Sequence, residues 1–345
     1  MTSNNGRTAL VTGGHGFLGS HLVDLLLARG FKVRCLLRPD RSDTVFSGRA
    51  VDVARGDLRR SAGLAEAVRG VDLVFHVAGL VTARGPVEFH AVNVEGTRRI
   101  AAAVGRFNPR CRRFVYVSSQ AAAGPSRDGR PIREDSPPEP LTHYGRSKLE
   151  GERMLPRAIG EVAWSVVRPP AIYGPRDEGI LPFFQLAALG LAAGLEGPRG
   201  RRFNLLHARD VAEDVLAAAE SPVAAGRVYF LADEHGRGYG YGDVARSLER
   251  AFGRRTRRVP LPDLLVDLAG VLTDEVAWLC GSRPIFGRDK ARELKAHWWL
   301  CSPARAAREL GWRARIPLDD GFAETARWYA EAGKLRSPRR VRSPI

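Results

Sequence analysis

The chain is short of cysteine, of acid and of long apolar runs, and each shortage excludes something. Its four cysteines, Cys35, Cys111, Cys280 and Cys301, lie far apart with no metal-ligand spacing. Neither a zinc site nor a disulfide framework is implied, so a reducing, cytoplasmic location is expected. Cys35 sits inside an apolar run, where it reads as a small hydrophobe. No apolar run reaches the roughly 20 residues of a membrane span. Leu181 to Leu195 is interrupted by Gln185, and Val259 to Cys280 by Asp263, Asp267, Asp274 and Glu275. The second stretch suits a helix covering a substrate pocket, and peripheral membrane contact is its other reading. The N-terminal Met-Thr-Ser-Asn-Asn-Gly has no apolar signal core, and no internal repeat is visible.

Acid is outnumbered, 38 Asp and Glu against 54 Lys and Arg, for a formal charge of +16. A basic surface attracts polyanions without choosing among them. The arginines are dispersed, with one dense cluster at Lys334 to Arg342, so no specific nucleic-acid function is expected. The segment 333–345 carries two Arg-Ser-Pro triplets and no apolar periodicity, which predicts a disordered basic tail.

What the chain does have is glycine in the right place. Gly13, Gly14, Gly16 and Gly19 follow the apolar run Thr8 to Thr12 and precede a helix-like segment, Ser20 to Arg29, closed by Gly30. Strand, tight glycine turn and helix form the context in which main-chain N–H groups and a helix N-terminus receive a pyrophosphate. Gly13, Gly16, Phe17, Leu18 and Gly19 are therefore expected to cradle a dinucleotide. Further strand-like runs, Phe31 to Leu37, Val51 to Ala54, Val71 to Val77, Phe114 to Val117 and Trp164 to Val167, alternate with helical segments. Such alternation predicts an α/β fold, a Rossmann-type doubly wound parallel sheet, with a smaller, discontinuous C-terminal substrate lobe. The expected division is 1–173 for the dinucleotide-binding domain, with 203–232 returning to it, and 174–202 with 233–332 for the substrate lobe. Phe203 to Leu206 and Val228 to Leu231 are the strands expected to rejoin the sheet.

Tyr144 and Lys148 stand four apart in a predicted helix, which puts phenol and ammonium on one face. A nearby ammonium favours tyrosinate, so Lys148 is expected to lower the Tyr144 pKa, letting the phenol exchange a proton with a carbonyl/alcohol pair. Ser118 and Ser119 end a predicted strand at the sheet edge, where a hydroxyl can orient the substrate oxygen.

Together, Thr12-Gly13-x-x-Gly16-x-x-Gly19, Asp57-Leu58, Ser119, Tyr144-x-x-x-Lys148, Arg168-Pro-Pro-Ala-Ile-Tyr-Gly-Pro175, Leu206-His-Ala-Arg-Asp210-Val211 and Leu310-Gly-Trp312 resemble the extended short-chain dehydrogenase/reductase family, of NAD-dependent epimerase/dehydratase type, over about residues 7 to 332. The resemblance implies that Tyr144 is the acid/base, Lys148 its modulator and ribose ligand, and Ser119 the substrate-oxygen partner. Ser119 is chosen over Ser118 because Gly124 follows it by five. It further implies that Asp57 and Leu58 touch the adenine, that Val77, Ala78 and Gly79 line the centre of the cofactor, that Pro170 also contacts the cofactor, and that Asn93 is structural. A solvent-facing Asn93 is the plainer alternative.

Arg38 follows the second strand where an acid would hold the ribose hydroxyl of NAD, so NADP(H) is expected, with Arg34 and Arg41 assisting. NAD(H), held by an inward Asp40, is the other possibility. Ser119-Gln120-Ala121 replaces the Thr-Asp-Glu run of nucleotide-sugar dehydratases, and Pro170-Ala171 replaces the epimerase asparagine. The pattern is similar to dihydroflavonol reductases and 3β-hydroxysteroid dehydrogenases. That likeness implies an oxidoreductase interconverting a ketone and a secondary alcohol on a mostly apolar small molecule. The expected pocket walls are Pro170, Ala171, the apolar helix Leu181 to Leu195 and the segment Leu261 to Leu279. A nucleotide-sugar epimerase, with Arg199, Arg201 and Arg202 at a diphosphate, and a non-catalytic NADP sensor are the alternatives. His207 and Asp210 read as packing and helix capping, no metal is expected, and a homodimer is compatible.

Overall fold

Seven strands make the main sheet: Thr8–Thr12 (β1), Lys32–Leu37 (β2), Val51–Arg55 (β3), Leu73–His76 (β4), Arg113–Val117 (β5), Trp164–Arg168 (β6) and Arg227–Phe230 (β7). All pair in parallel, in the order β7-β6-β5-β4-β1-β2-β3. This computed structural model describes residues 6–195, 200–233, 237–280 and 286–335, so Arg199 and most of the basic tail lie outside the described residues.

Both faces of the sheet are covered, which is why every residue of β4 and β5 is buried and all but His76 and Arg113 carry largely apolar side chains. On one face Ala9, Val11, Phe75, Val115 and Val167 pack with residues of Phe17–Ala28 (α1) and Ala208–Glu220 (α5). The alternate residues Leu10, Val74, Phe114, Tyr116 and Val166 meet Leu64–Val68 (α2), Glu95–Phe107 (α3) and His143–Ile159 (α4) on the other. The strand order turns back between β1 and β4, opening a crevice at their carboxyl ends where ligands of such sheets bind.

Beyond the sheet, Leu181–Ala188, Tyr241–Phe252 (α6) and Leu318–Glu331 (α9) close around Tyr173, Phe184, Phe322 and Tyr329. Asp263–Leu279 (α7) and Arg288–Lys295 (α8) pack against each other beside them.

Two sequence expectations need correction here. Phe203 to Leu206 does not join the main sheet: Arg202–Phe203 pairs with Tyr239–Gly240 and Trp298–Trp299, while Leu205–His207 pairs with Ala171–Tyr173. The break falls at Asn204, whose carboxamide oxygen accepts the Cys301 N–H at 2.8 Å and whose own N–H goes to the Trp299 carbonyl. Nor is Leu181 to Leu195 one helix. The chain leaves it after Ala188 and runs as the strand Leu191–Gly194 along Arg257–Pro260.

Candidate active site

The glycine turn is built by close approach. A side chain at Gly19 would put its Cβ 2.1 Å from the Gly13 carbonyl oxygen, and Gly13 itself lies against the backbone of Ala78 across the crevice. Helix α1 starts at Phe17, earlier than the expected Ser20, because Gly16 caps it without any side-chain acceptor. Its first N–H groups, those of Phe17 and Leu18, are therefore left for an anion, at the positive end of the helix dipole. The cradle fits a dinucleotide pyrophosphate.

The outer rim of the crevice is formed by the ends of β2 and β3. Arg38 lies 3.5 Å from Asp40, which is the more exposed of the two. Arg38 and Arg41 both act on His15 of the glycine turn, whose pKa is lowered first by burial and then by these cations. Arg34 does not assist: its guanidinium is held by Asp52 and by the carbonyls of Ala67 and Arg69. Asp57 is gripped by Arg59, which holds its carboxyl below the usual range, and Leu58 is buried against Gly96.

At the centre, Val77, Ala78 and Gly79 follow β4 into the crevice. The Ala78 N–H donates to Thr12 Oγ1 at 3.2 Å, and Thr12 Oγ1 meets His76 Nδ1 at 2.8 Å. His76 Nε2 lies 2.9 Å from Thr97 Oγ1, which donates to the Asn93 carbonyl. Burial, helped by Lys148, drives the His76 pKa down to about 3, so this link is a neutral ring. Asn93 is buried rather than solvent-facing. Its carboxamide bonds both main-chain groups of Leu80 and the Ser147 hydroxyl, tying the loop after β4 to α4.

Tyr144 reaches the carboxyl end of β5 because α4 lies hard against the loop that follows that strand. Thr142 caps α4 by accepting the Gly145 N–H at 3.1 Å, and a Cβ at Gly145 would come within 2.2 Å of the Ala121 carbonyl oxygen. Glycine at 145 is what lets α4 approach this loop so closely and bring the phenol near Ser119, whose hydroxyl acts on its pKa. The two adjacent serines have separate tasks. Ser119 accepts the Ala121 N–H and meets the phenol, whereas Ser118 donates to Glu152 at 2.5 Å. Glu152 is in turn bidentate with Arg168, at 2.9 and 2.5 Å, and all three are buried.

This Ser118–Glu152–Arg168 network joins β5, α4 and β6 directly beneath the site. Removing one partner of a buried ion pair strands the other charge, so Glu152→Ala should lose about 3–5 kcal/mol of stability, read from the urea midpoint. A change under about 1 kcal/mol, the range of exposed pairs, would show that the network carries no such role.

Lys148 is buried, donates to the Val117 carbonyl at 2.7 Å and sits 4.6 Å from the centre of the Tyr116 ring. Burial lowers its pKa to about 8, against the pull of Glu152. The expected lowering of the Tyr144 pKa by Lys148 is not found. Burial raises the phenol to about 12, with the nearby Ser119 hydroxyl opposing and the Glu293 carboxylate adding to the rise. Glu293 comes from α8, where it also approaches Thr142 Oγ1 at 3.4 Å, so the substrate side of the molecule contributes a charge next to the phenol. Sequence spacing missed Glu152, which stands four residues beyond Lys148 on the same helix face, and His76, the last residue of β4.

Pro170 is buried just after β6. His21 reaches the Pro175 carbonyl at 2.8 Å, and Tyr173 packs on Phe322 and His207. His207 caps α5, and Asp210 holds the N–H groups of Arg315 and Ile316. The described arginines of the expected diphosphate rim are engaged elsewhere: Arg201 is buried and bidentate to Asp263, and Arg202 binds the carbonyls of Arg237 and Gly238. The expected pocket wall Leu261 to Leu279 also turns its leucines outward, with Leu264, Leu265, Leu268 and Leu272 exposed.

The sequence pattern described as the NAD dependent epimerase/dehydratase family matches residues 9–232. The chain belongs to that family. It is thus an enzyme of the nicotinamide-dependent oxidoreductase type. Among family relatives, the chain is 35% identical to the ceramide reductase of Caulobacter vibrioides over 325 residues, covering 94% of this chain and 95% of that one. It is 31% identical to the sterol demethylase protein B of Methylococcus capsulatus over 344 residues, covering 95% and 100%. The crystal structure of gox2253 superposes with a TM-score of 0.77 at 27% identity, covering 95% of this chain and 99% of that chain.

Proposed function

We propose that the protein is an NADP(H)-dependent reductase or dehydrogenase that interconverts a ketone and a secondary alcohol on a mostly apolar, lipid-like molecule. The observation that carries this reading is that Tyr144 and Lys148 share α4 at the carboxyl end of β5, where Lys148 bonds the Val117 carbonyl and lies against Gly79 in the crevice, with Ser119 acting on the phenol. In this reading residues 1–173 supply the cofactor side and the later lobe the substrate side.

The bound nicotinamide supplies or removes the hydride. Ser119 orients the substrate oxygen toward Tyr144. The phenol, kept protonated by its raised pKa of about 12, donates its proton to that oxygen in the reductive direction. Lys148 holds the cofactor ribose from the floor of the crevice, and Arg38 and Arg41 offer paired charged hydrogen bonds to a 2′-phosphate. Support for an apolar substrate comes from Arg201 and Arg202, which are spent on internal partners, and from the ceramide and sterol named for the relatives.

A panel of ketones and secondary alcohols, followed by nicotinamide absorbance, tests the proposal. Turnover of lipid-like members is expected. Saturable micromolar binding of a nucleoside diphosphate would instead favour epimerisation of a nucleotide sugar.

The reductive kcat/KM should be flat through neutral pH. It should fall as Lys148 loses its proton, with a limb near its pKa of about 8, because Tyr144 titrates far higher. Lys148→Arg keeps its charge at any working pH and should move that limb upward. An unmoved limb would assign it to another group.

A further inference from the structure

We propose that the outward face of α7 is a docking surface for an anionic lipid bilayer. The helix exposes an apolar stripe. Leu264, Leu268, Leu272 and Val276 recur every fourth residue, and with Leu265 they form one stripe, each at least half exposed and Leu264 by 77%.

The four carboxylates of α7 are occupied by the protein's own cations. Asp263 takes Arg201, Asp267 takes Lys295, and Asp274 and Glu275 share Arg288. Contact with the rest of the fold is made through Val266 and through Gly270, which lies against Ala291. Among the described residues no helix is long and apolar enough to cross a membrane, so the stripe lies on a surface rather than spanning one.

Charge identifies the surface. Residues 254–262, immediately before the helix, contain Arg254, Arg255, Arg257 and Arg258 and no acidic residue, and all four arginines are exposed. The apolar surface continues through Val259 to Leu189, which precedes the Gly190 carbonyl that accepts the Arg257 N–H. A leucine stripe with a basic run at its end matches the boundary between lipid headgroups and acyl chains. A second copy of the chain meeting this face about a two-fold axis would set the same arginine cluster against itself. Nucleic acid would leave the leucines in water.

The position also suits the chemistry. Helix α8, packed along α7, gives Asp289 to the His143 N–H at 2.7 Å and Glu293 to Thr142, at the start of the helix bearing Tyr144. Docking would hold the site beside the lipid from which an apolar substrate comes. That last point rests on the proposed function, whereas the docking itself does not.

Co-sedimentation of the full chain with vesicles, without cofactor or substrate, tests the docking. Phosphatidylcholine vesicles containing phosphatidylglycerol should carry the protein down, and pure phosphatidylcholine should do so far less. Replacing each of Arg254, Arg255 and Arg257 by Ala should weaken binding roughly fivefold, and high salt should weaken it further. The triple variant Leu264→Ser, Leu268→Ser, Leu272→Ser should bind at least about tenfold more weakly while keeping its circular dichroism. No sedimentation with either vesicle, or undiminished binding by the leucine variant, would overturn the proposal. So would a lipid-free dimer that the same substitutions dissolve. Because neither redox turnover nor cofactor enters the assay, its failure leaves the redox reading standing, and the converse holds.

Discussion

Replacing Tyr144 by Phe is expected to lower turnover by about 10²–10⁴-fold while leaving NADPH affinity almost unchanged. The substitution deletes the one hydroxyl that meets Ser119 and keeps the ring, which packs 6.1 Å from the centre of Phe89. Lys148→Met should behave differently and impair both turnover and cofactor binding, since in the proposed mechanism the ammonium would hold the ribose as well as act beside the phenol. Ser118→Ala should act chiefly on stability, because that hydroxyl belongs to Glu152 and Arg168. Near-normal turnover by the Phe variant would remove Tyr144 from the mechanism.

Much of this site was legible in the chain before any coordinates. The apolar runs of β1, β2, β4, β5 and β6 and the glycines between β1 and α1 required a parallel sheet with a phosphate cradle at its reversal point. Tyr144 and Lys148 stand four apart in a predicted helix, and both do lie on α4. The misreadings share a cause: periodicity says which residues share a face, but not what that face meets. In α7 the leucines were assigned inward because leucine usually is. Only the fold, in which Val266 and Gly270 face the protein and Arg201, Lys295 and Arg288 come to the carboxylates, shows that the leucine stripe is left outside. Arg34, Arg201 and Arg202 were likewise read as free cations when each has a carboxylate or carbonyl waiting in the fold. The rise of the Tyr144 pKa was hidden for the same reason, since burial is a tertiary property and outweighs the neighbouring ammonium.

Arg38→Asp should turn cofactor preference from NADPH toward NADH. In the folded chain Asp40 is its ion-pair partner, 3.5 Å away, so the guanidinium can be drawn to a 2′-phosphate. Asp57, the other carboxylate at this rim, is already engaged by Arg59 and so does not compete for it. A charge-assisted contact contributes about 1.5–3 kcal/mol, and its loss should cost NADPH about one to two decades of affinity. The new carboxylate also repels the phosphate and offers an acceptor to an unphosphorylated ribose. Titration of both cofactors by fluorescence checks this. Equal affinity of the unaltered protein for NADPH and NADH would contradict the assignment of Arg38.

The most direct test of the whole account follows the fate of one labelled atom. The protein is incubated with NADPH carrying deuterium at the transferable position of the nicotinamide and with a lipid-like ketone. The account predicts one deuterium on the new carbinol carbon for each NADPH consumed, with oxidised cofactor released into solution. Cofactor that stays bound and unconsumed while a nucleotide sugar changes configuration would contradict it.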